Sequence, residues 1–255
     1  EVSDIINTHS IDFFYTLTGG NYEDIYQFEN KNIWQNCKTI KHCVFNTTSP
    51  QSDFHISISH FLNEKNKTNI TVIPHIVTIP ECDENLRNEL NIPSDAIVLG
   101  RHGGVETFDI PVVYEAIRQI LNMDEKIYFL FMNTNRFYEH PRIIYLKCNI
   151  DLIYKSKFIK TCDAMIHARQ IGETFGLAVA EFSYLNKPII TGLCGDLEHI
   201  KILGDKAIVY KSYEELMIIF QNIRQLINVR NDWNAYQQFS PSNVMKMFDK
   251  LIFSK

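Results

Sequence analysis

The chain has 255 residues, 45% of them hydrophobic and 22% charged, with a net charge of -5. That balance suffices for one large core or two modest ones, and it argues against nucleic acid as the main partner. No run of eighteen apolar residues and no cleavable leader is visible, so no membrane span is expected and a cytoplasmic location fits.

In chain order, residues 2–7 read as the end of a helix, 11–17 as a strand and 38–45 as another strand. Residues 56–63 continue as a strand or short helix, and 70–74 form a last strand before Pro74-His75. Residues 80–93 then read as a connection with its own short helix over 85–90. From there strand and helix alternate: a strand at 97–100, a helix through Val112 and Ile120, strands at 127–133 and 142–146, a helix at 154–160, and a strand at 164–167. A helix at 176–185 and strands at 189–191 and 207–210 follow. This alternation predicts a doubly wound parallel sheet. Leu216, Ile219, Phe220, Ile223, Leu226 and Ile227 recur at helical spacing, which core packing explains fully. Ser240-Pro241-Ser242 starts a closing helix with a capping serine and a proline in its first turn. No internal repeat or long low-complexity tract is present.

The most informative stretch is Gly172-Glu173-Thr174-Phe175-Gly176-Leu177, continuing to Glu181. Glu173 falls in a loop ahead of a helix that Gly176 opens. Gly176 and Leu177 offer unpaired N–H groups at the positive end of the helix dipole, and glycine permits close approach of a ligand, which is the physics of a phosphate site. Glu181 lies on a helix otherwise made of Leu, Ala, Val and Phe, where a carboxylate costs free energy unless something polar meets it. An exposed Glu plus a capping Glu is the plain alternative, and spacing alone does not choose. His167 and Arg169 stand at the mouth of the strand before Glu173.

A second segment, Gly100-Arg101-His102-Gly103-Gly104, ends the first strand of the second half in a glycine-bearing loop, with Phe108-Asp109-Ile110 beyond it. Taken alone it fits a simple turn as well as a site.

Together these segments, followed by Asn186-Lys187-Pro188 and by Gly195 with Glu198, resemble the donor-site signature of glycosyltransferase family 4. The resemblance implies an α/β chain of GT-B type, with two Rossmann-like doubly wound parallel sheets. The domains it implies are an N-terminal acceptor-side domain at 1–79, a linker at 80–93 and a nucleotide-sugar-binding domain at 94–230. A closing helix at 231–255 would then return to the first domain. Four strands precede the linker, fewer than family members carry, so the N-terminal sheet is expected to be truncated and the chain to begin inside a longer protein.

By the same resemblance, Glu173 contacts donor-sugar hydroxyls and Arg101 neutralises the departing diphosphate; these two are the catalytic residues it implies. A guanidinium suits that task because it stays charged and binds phosphate oxygens in pairs. Gly100, His102, Gly103, Gly104, His167, Arg169, Thr174, Phe175, Gly176 and Leu177 line the donor, and Glu181 holds the ribose. The implied activity is retaining transfer of a sugar from a UDP- or GDP-sugar to a glycan or other hydroxyl acceptor, with no metal and no cofactor. Peripheral membrane contact would come through the missing N-terminal part. One departure stands out: Glu106 occupies a position where the family usually has Lys. Either other groups carry the phosphate charge, or the chain is a catalytically silent sugar-nucleotide-binding module.

Elsewhere the sequence says less. Gly19-Gly20 and His42 are acceptor-side candidates because they lie near strand ends, with a satisfied core histidine as the alternative for His42. The chain shows no Asp-x-Asp, no His-x-x-x-His and no Cys-x-x-Cys, so no metal site is expected. The six cysteines read as reduced core residues, and three Asn-x-Ser/Thr matches as chance in an Asn-rich chain. A dinucleotide enzyme would need a Gly-x-Gly-x-x-Gly before a helix, which is absent.

Overall fold

The computed structural model describes residues 2–21, 31–49 and 51–252. They form two compact units, one of residues 1–75 with 242–255 and the other of residues 76–241. The ends of the ranges 1–79 and 231–255 therefore include residues outside the described ones.

The first unit carries α1 (Val2–His9), β1 (Phe13–Thr18), α2 (Lys31–Trp34), β2 (Lys38–Cys43), β3 (Phe54–Ser57), α3 (His60–Asn66) and β4 (Thr71–Val72). Its strands pair in parallel in chain order, β1-β2-β3-β4, with Phe13 opposite Lys38 and Ile56 opposite Thr71. The ambiguous stretch 56–63 resolves into both readings: β3 ends at Ser57, and Ser59 caps α3 by accepting from the Leu62 N–H.

The second unit carries β5 (Ile97–His102), α4 (Pro111–Met123), β6 (Ile127–Met132), β7 (Ile143–Leu146), α5 (Leu152–Thr161) and β8 (Ala164–His167). After the two-residue β9 (Gly172–Glu173) come α6 (Leu177–Tyr184), β10 (Ile189–Gly192), β11 (Asp196–Leu197), α7 (Glu198–Leu203) and β12 (Ala207–Tyr210). Helices α8 (Tyr213–Gln221) and α9 (Ile223–Leu226) follow, and α10 (Pro241–Ile252) belongs from residue 242 to the first unit. Six strands make one parallel sheet in the order β12-β10-β8-β5-β6-β7. The chain winds outward from β5 through β6 and β7, then returns to β8 on the other side of β5. The winding therefore reverses between β5 and β8, which is where open α/β sheets leave a crevice outside the carboxyl ends of their strands. In the first unit, by contrast, the described strands show no such reversal.

The periodicity explains the core. Val113, Ala116, Ile117 and Ile120 are spaced to share one face of α4, and they pack with Leu99, Phe129, Leu216 and Phe220 in a fully buried cluster. Each fully buried Val, Ile, Leu or Phe side chain contributes about 2 kcal/mol of transfer free energy. Phe220 meets Phe129 edge-on at 5.8 Å between centroids.

Some expectations change. The helix expected over 216–227 breaks at Asn222, whose side-chain amide donates to Ile218 O at 2.8 Å between α8 and α9. The short helix expected at 85–90 is a single turn, closed by Leu90 N–H onto Leu86 O at 2.9 Å. The expected connection 80–93 belongs to the second unit. There Leu86 N–H donates to Thr161 Oγ1 at 2.8 Å and Arg87 pairs with Asp163 at 2.8 Å. Of the cysteines, all free, Cys37, Cys43 and Cys162 are buried, Cys82 and Cys194 are partly exposed, and Cys148 is exposed, so the core reading covers half of them. None of the described helices is long and apolar enough to cross a membrane.

Candidate functional site

Arg101 and His102 end β5, and His167 ends β8, so all three stand at the carboxyl edge where the winding reverses. Alternation along β5 sends the two neighbours to opposite faces.

Arg101 is buried at 3% exposure, and its guanidinium reaches two loops. Nη1 donates to Asn133 O at 3.1 Å and to Thr134 Oγ1 at 2.6 Å. Nη2 donates to Gly104 O at 2.7 Å and to Thr107 Oγ1. Burial pushes the guanidinium down to about 10, with the charge of Glu173 pulling it back up, so it remains a cation at neutral pH. The four donors of its two terminal nitrogens are therefore spent on neutral oxygens of the protein. In this structure Arg101 ties the loop after β5 to the loop after β6.

A Cβ on Gly100 would lie 2.1 Å from Cys162 Sγ, so the sheet packs against this glycine. Gly103 and Gly104 curl around the arginine; a Cβ on Gly103 would sit 2.9 Å from its guanidinium. Glu106 is exposed.

His102 points the other way, stacked on Phe182 at 5.6 Å, with Nε2 3.0 Å from Glu181 Oε2. The other Glu181 oxygen accepts from Lys155 Nζ at 2.9 Å. Burial pushes the Glu181 carboxyl up, but His102 and the Lys155 ammonium outweigh it and hold the group below its ordinary value of 4.5. The stability this pairing gives is present above that ordinary value and is lost as pH falls through the lower folded-state value. Sequence reasoning missed Lys155 because α5 reads as a plain amphipathic helix.

Glu173 is the second carboxylate. Its Oε2 accepts from Arg169 Nη1 at 2.7 Å, and its Oε1 lies 3.3 Å from His167 Nε2. His167 and Arg169 are thus brought to Glu173 as the sequence suggested. Each carboxylate meets one cation and one imidazole of its own, which is the arrangement of two binding groups and not of a glutamic acid–glutamate couple sharing one proton.

Two glycines set the loop that carries Glu173. β9 and β11 pair in parallel, Gly172 opposite Asp196 and Glu173 opposite Leu197. Gly172 has φ 67° and Gly195 φ 64°, and a Cβ on either would stand 2.1 Å from the facing backbone. Gly195→Ala is expected to destabilise the second unit by about 2–3 kcal/mol through clash and left-handed strain, read as a lower denaturation midpoint with Trp233 as probe. An unchanged midpoint would mean that this pairing does not fix the loop. Thr174 and Phe175 are buried; the Phe175 carbonyl accepts from Tyr236 at 2.9 Å, and its ring packs on Tyr236 and Phe239. They anchor the loop, while Gly176 (φ 83°) opens α6 and Leu177 is 44% exposed. The first amides of α6 point out of the helix end, where an anion would be met by the dipole. Asp109, beyond the arginine loop, accepts from the Gln170 N–H at 2.7 Å and so fastens that loop to the one bearing Arg169.

In the first unit, the weaker candidates have structural duties. Gly20 (φ 90°) passes so close to Asn46 that a Cβ would overlap its carbonyl oxygen at 1.7 Å, and Gly19 O accepts the Phe45 and Asn46 N–H groups. His42 is 2% exposed. Its Nε2–H donates to Ile73 O at 2.7 Å, and its Nδ1 accepts from Tyr15 at 2.8 Å. Both ring nitrogens are engaged, as in a core histidine, so none is left to meet an acceptor. Burial pushes His42 down to about 4 from 6.5, against the favourable bond to Ile73. Because the unfolded chain binds this proton first, the unit loses stability as pH falls from 6.5 towards 4, by about 3 kcal/mol at most. The denaturant midpoint of Trp34 fluorescence in a Trp233→Phe background is expected to fall across that window; a flat midpoint would contradict the buried-neutral assignment.

Among the described residues, no group of three His, Cys, Asp or Glu is placed to hold a metal ion. Arg101, His102 and His167 thus gather at the point where open α/β sheets place their ligands.

Comparison with known proteins narrows the fold. No family model matches the chain, and no curated protein matches it by sequence. Solved structures do match. Anabaena HepE in complex with UDP-glucose superimposes with a TM-score of 0.73 at 15% identity, over 100% of this chain and 82% of that one. A glycosyltransferase from Rickettsia africae gives a TM-score of 0.66 at 15% identity, over 97% and 74% of the two chains. TarM gives 0.63 at 12% identity, over 94% and 54%. At these identities the likeness shows the fold, and that fold is the GT-B α/β fold of glycosyltransferases.

Proposed function

We propose that the chain binds a nucleotide-sugar at the reversal between β5 and β8 and transfers the sugar to an acceptor hydroxyl, with retention and without a metal. The observation that carries this reading is the pair of carboxylates flanking the opening of α6, each held by one cation and one imidazole: Glu173 by Arg169 and His167, Glu181 by Lys155 and His102. A carboxylate fixed in this way accepts hydrogen bonds from vicinal hydroxyls, which is what a sugar or a ribose presents. Glu173 serves the donor sugar and Glu181 the ribose. The amides of Gly176 and Leu177 and the helix end receive the diphosphate, and the buried charge of Arg101 lowers the cost of its developing charge. The departing phosphate oxygen takes the acceptor proton as the new bond forms on the same face. The UDP-glucose in HepE supports a nucleotide-sugar as ligand.

One observation favours a second reading. With the terminal donors of Arg101 spent within the protein and Glu106 where a Lys is expected, the site has few free cations for a leaving diphosphate, as a silent binding module would. A thermal-shift panel of UDP-, GDP-, ADP- and dTDP-sugars in EDTA tests the shared step: at least one is expected to raise the melting temperature by several degrees. No shift with any of them, against a shift with NAD, would overturn both readings.

A further inference from the structure

Among the permanent cations of the site, one keeps a whole edge of donors to spare. The terminal nitrogens of Arg101 are bonded to Asn133, Thr134, Gly104 and Thr107, and the Lys155 ammonium is drawn onto Glu181 at 2.9 Å. The His167 ring sits between two partners, with Nδ1 2.9 Å from Thr191 Oγ1 and Nε2 3.3 Å from Glu173; the Thr191 hydroxyl in turn lies 2.9 Å from His199 Nε2. Arg169 differs. Its side chain is 17% exposed and its Nη1 donates to Glu173 Oε2 at 2.7 Å, but Nε is buried without a partner and Nη2 bonds to nothing among the described residues.

The two unspent groups share one edge of the guanidinium. Nη1 lies on the side of Cδ, whereas Nε–H and one Nη2–H run parallel on the opposite side, spaced to meet two oxygens of one phosphate or carboxylate. A buried N–H left unmet costs about 1–3 kcal/mol, which an anion arriving at this edge recovers.

Position decides which anion. A Cβ on Gly176 would stand 3.3 Å from Glu173 Cβ and Cγ and 3.2 Å from His199 Cβ, so the stem of Glu173 lies against the opening of α6 while Arg169 holds the far end of the same side chain. An anion at that opening also meets the positive end of the helix dipole. Burial lowers the Arg101 guanidinium most, then Glu173 raises it and the Arg169 charge lowers it, so the two guanidiniums share one neighbourhood. The backbone of Arg169 is pinned as well: its carbonyl accepts from the Gly172 N–H at 3.0 Å and from Cys194 Sγ at 3.5 Å, and the next residue donates to Asp109 at 2.7 Å. With the backbone fixed and Nη1 held by Glu173, little freedom is lost when the free edge is used.

We infer that Arg169 receives the donor diphosphate through Nε and Nη2, at the phosphate nearer the sugar, while Nη1 keeps hold of Glu173, so that one guanidinium ties the leaving group to the carboxylate that serves the sugar. The inference rests on the nucleotide-sugar reading of this site. Charge that builds on the diphosphate as the sugar departs is then met by a cation already in place. Arg169 thereby supplies the free cation that the position of Glu106 does not.

Isothermal titration of the full chain in EDTA with UDP, GDP, ADP and dTDP, and with the matching monophosphates, isolates this contact, because none of these ligands carries a sugar for Glu173 to hold. For whichever diphosphate binds, Arg169→Gln is expected to weaken it about thirtyfold and to change the monophosphate by no more than about threefold. Arg169→Lys, which keeps a charge beside Glu173 but has no two-donor edge, is expected to lose about tenfold for the diphosphate. Circular dichroism checks that both variants are folded. Wild-type affinity for the diphosphate in both variants, or equal losses for mono- and diphosphate, overturns the inference. So does a loss confined to donors whose sugar carries a carboxylate, which would give the edge to the sugar. A wild type that binds none of the four diphosphates and none of their sugars overturns the nucleotide-sugar reading itself, and the role of Arg169 falls with it.

Discussion

Glu173→Gln is expected to lower sugar transfer about a thousandfold while leaving the fold intact. Glutamine keeps the shape and one acceptor oxygen but replaces the other with an amide that presents protons to Arg169 Nη1, which now donates to Oε2 at 2.7 Å. The carboxylate also lies against His167 Nε2, so the substitution leaves the Arg169 guanidinium and the His167 ring facing a neutral group. The side chain is 17% exposed, so water can compensate part of that loss and the stability cost should stay near about 1 kcal/mol. The loss in rate comes from the hydroxyl contacts that a charged acceptor makes and a neutral one does not. Steady-state transfer assays with circular dichroism of the same sample check both halves. Full activity in a folded variant would remove Glu173 from the mechanism.

Arg101 gives the second large effect, and here stability leads. Arg101→Ala orphans four oxygen acceptors across two loops and removes a buried cation facing the Glu173 charge, so a cost of about 3 kcal/mol is expected. Arg101→Lys keeps the charge but cannot reach both loops with one nitrogen, and is expected to lose about 2 kcal/mol. Chemical denaturation followed by Trp233 fluorescence measures both. Transfer should fall in parallel with loop order in the two variants. If Arg101→Ala kept full stability and lost only transfer, the guanidinium would be acting on the ligand directly and the loop-tie assignment would be wrong.

Much of this was legible in the chain. β5, β6, β8 and β10 announce themselves as short apolar runs, and the Val113, Ala116, Ile117 and Ile120 spacing fixes the inner face of α4. The Glu173–Gly176–Glu181 spacing found the helix opening and both carboxylates because it is local. What the sequence hid is contact between distant segments. Nothing about Thr191 or His199 marks them apart from an ordinary strand end and an ordinary helix start; only the parallel pairing of β8 with β10 brings Thr191 opposite His167. Lys155 meets Glu181 across 26 positions for the same reason. The bonds of Arg101 to Thr107 and Thr134, and the packing of Gly100 on Cys162, were hidden in the sequence for the same reason.

The proposed reaction is transfer of sugar from a nucleotide without a metal. Incubating the full chain with UDP-, GDP-, ADP- and dTDP-sugars in EDTA, and quantifying released nucleoside diphosphate by chromatography, tests it directly. Release is expected from at least one donor with the wild type, and none above background with Glu173→Gln. Binding of a donor with no release from any of the four, with or without added glycan acceptor, would contradict it.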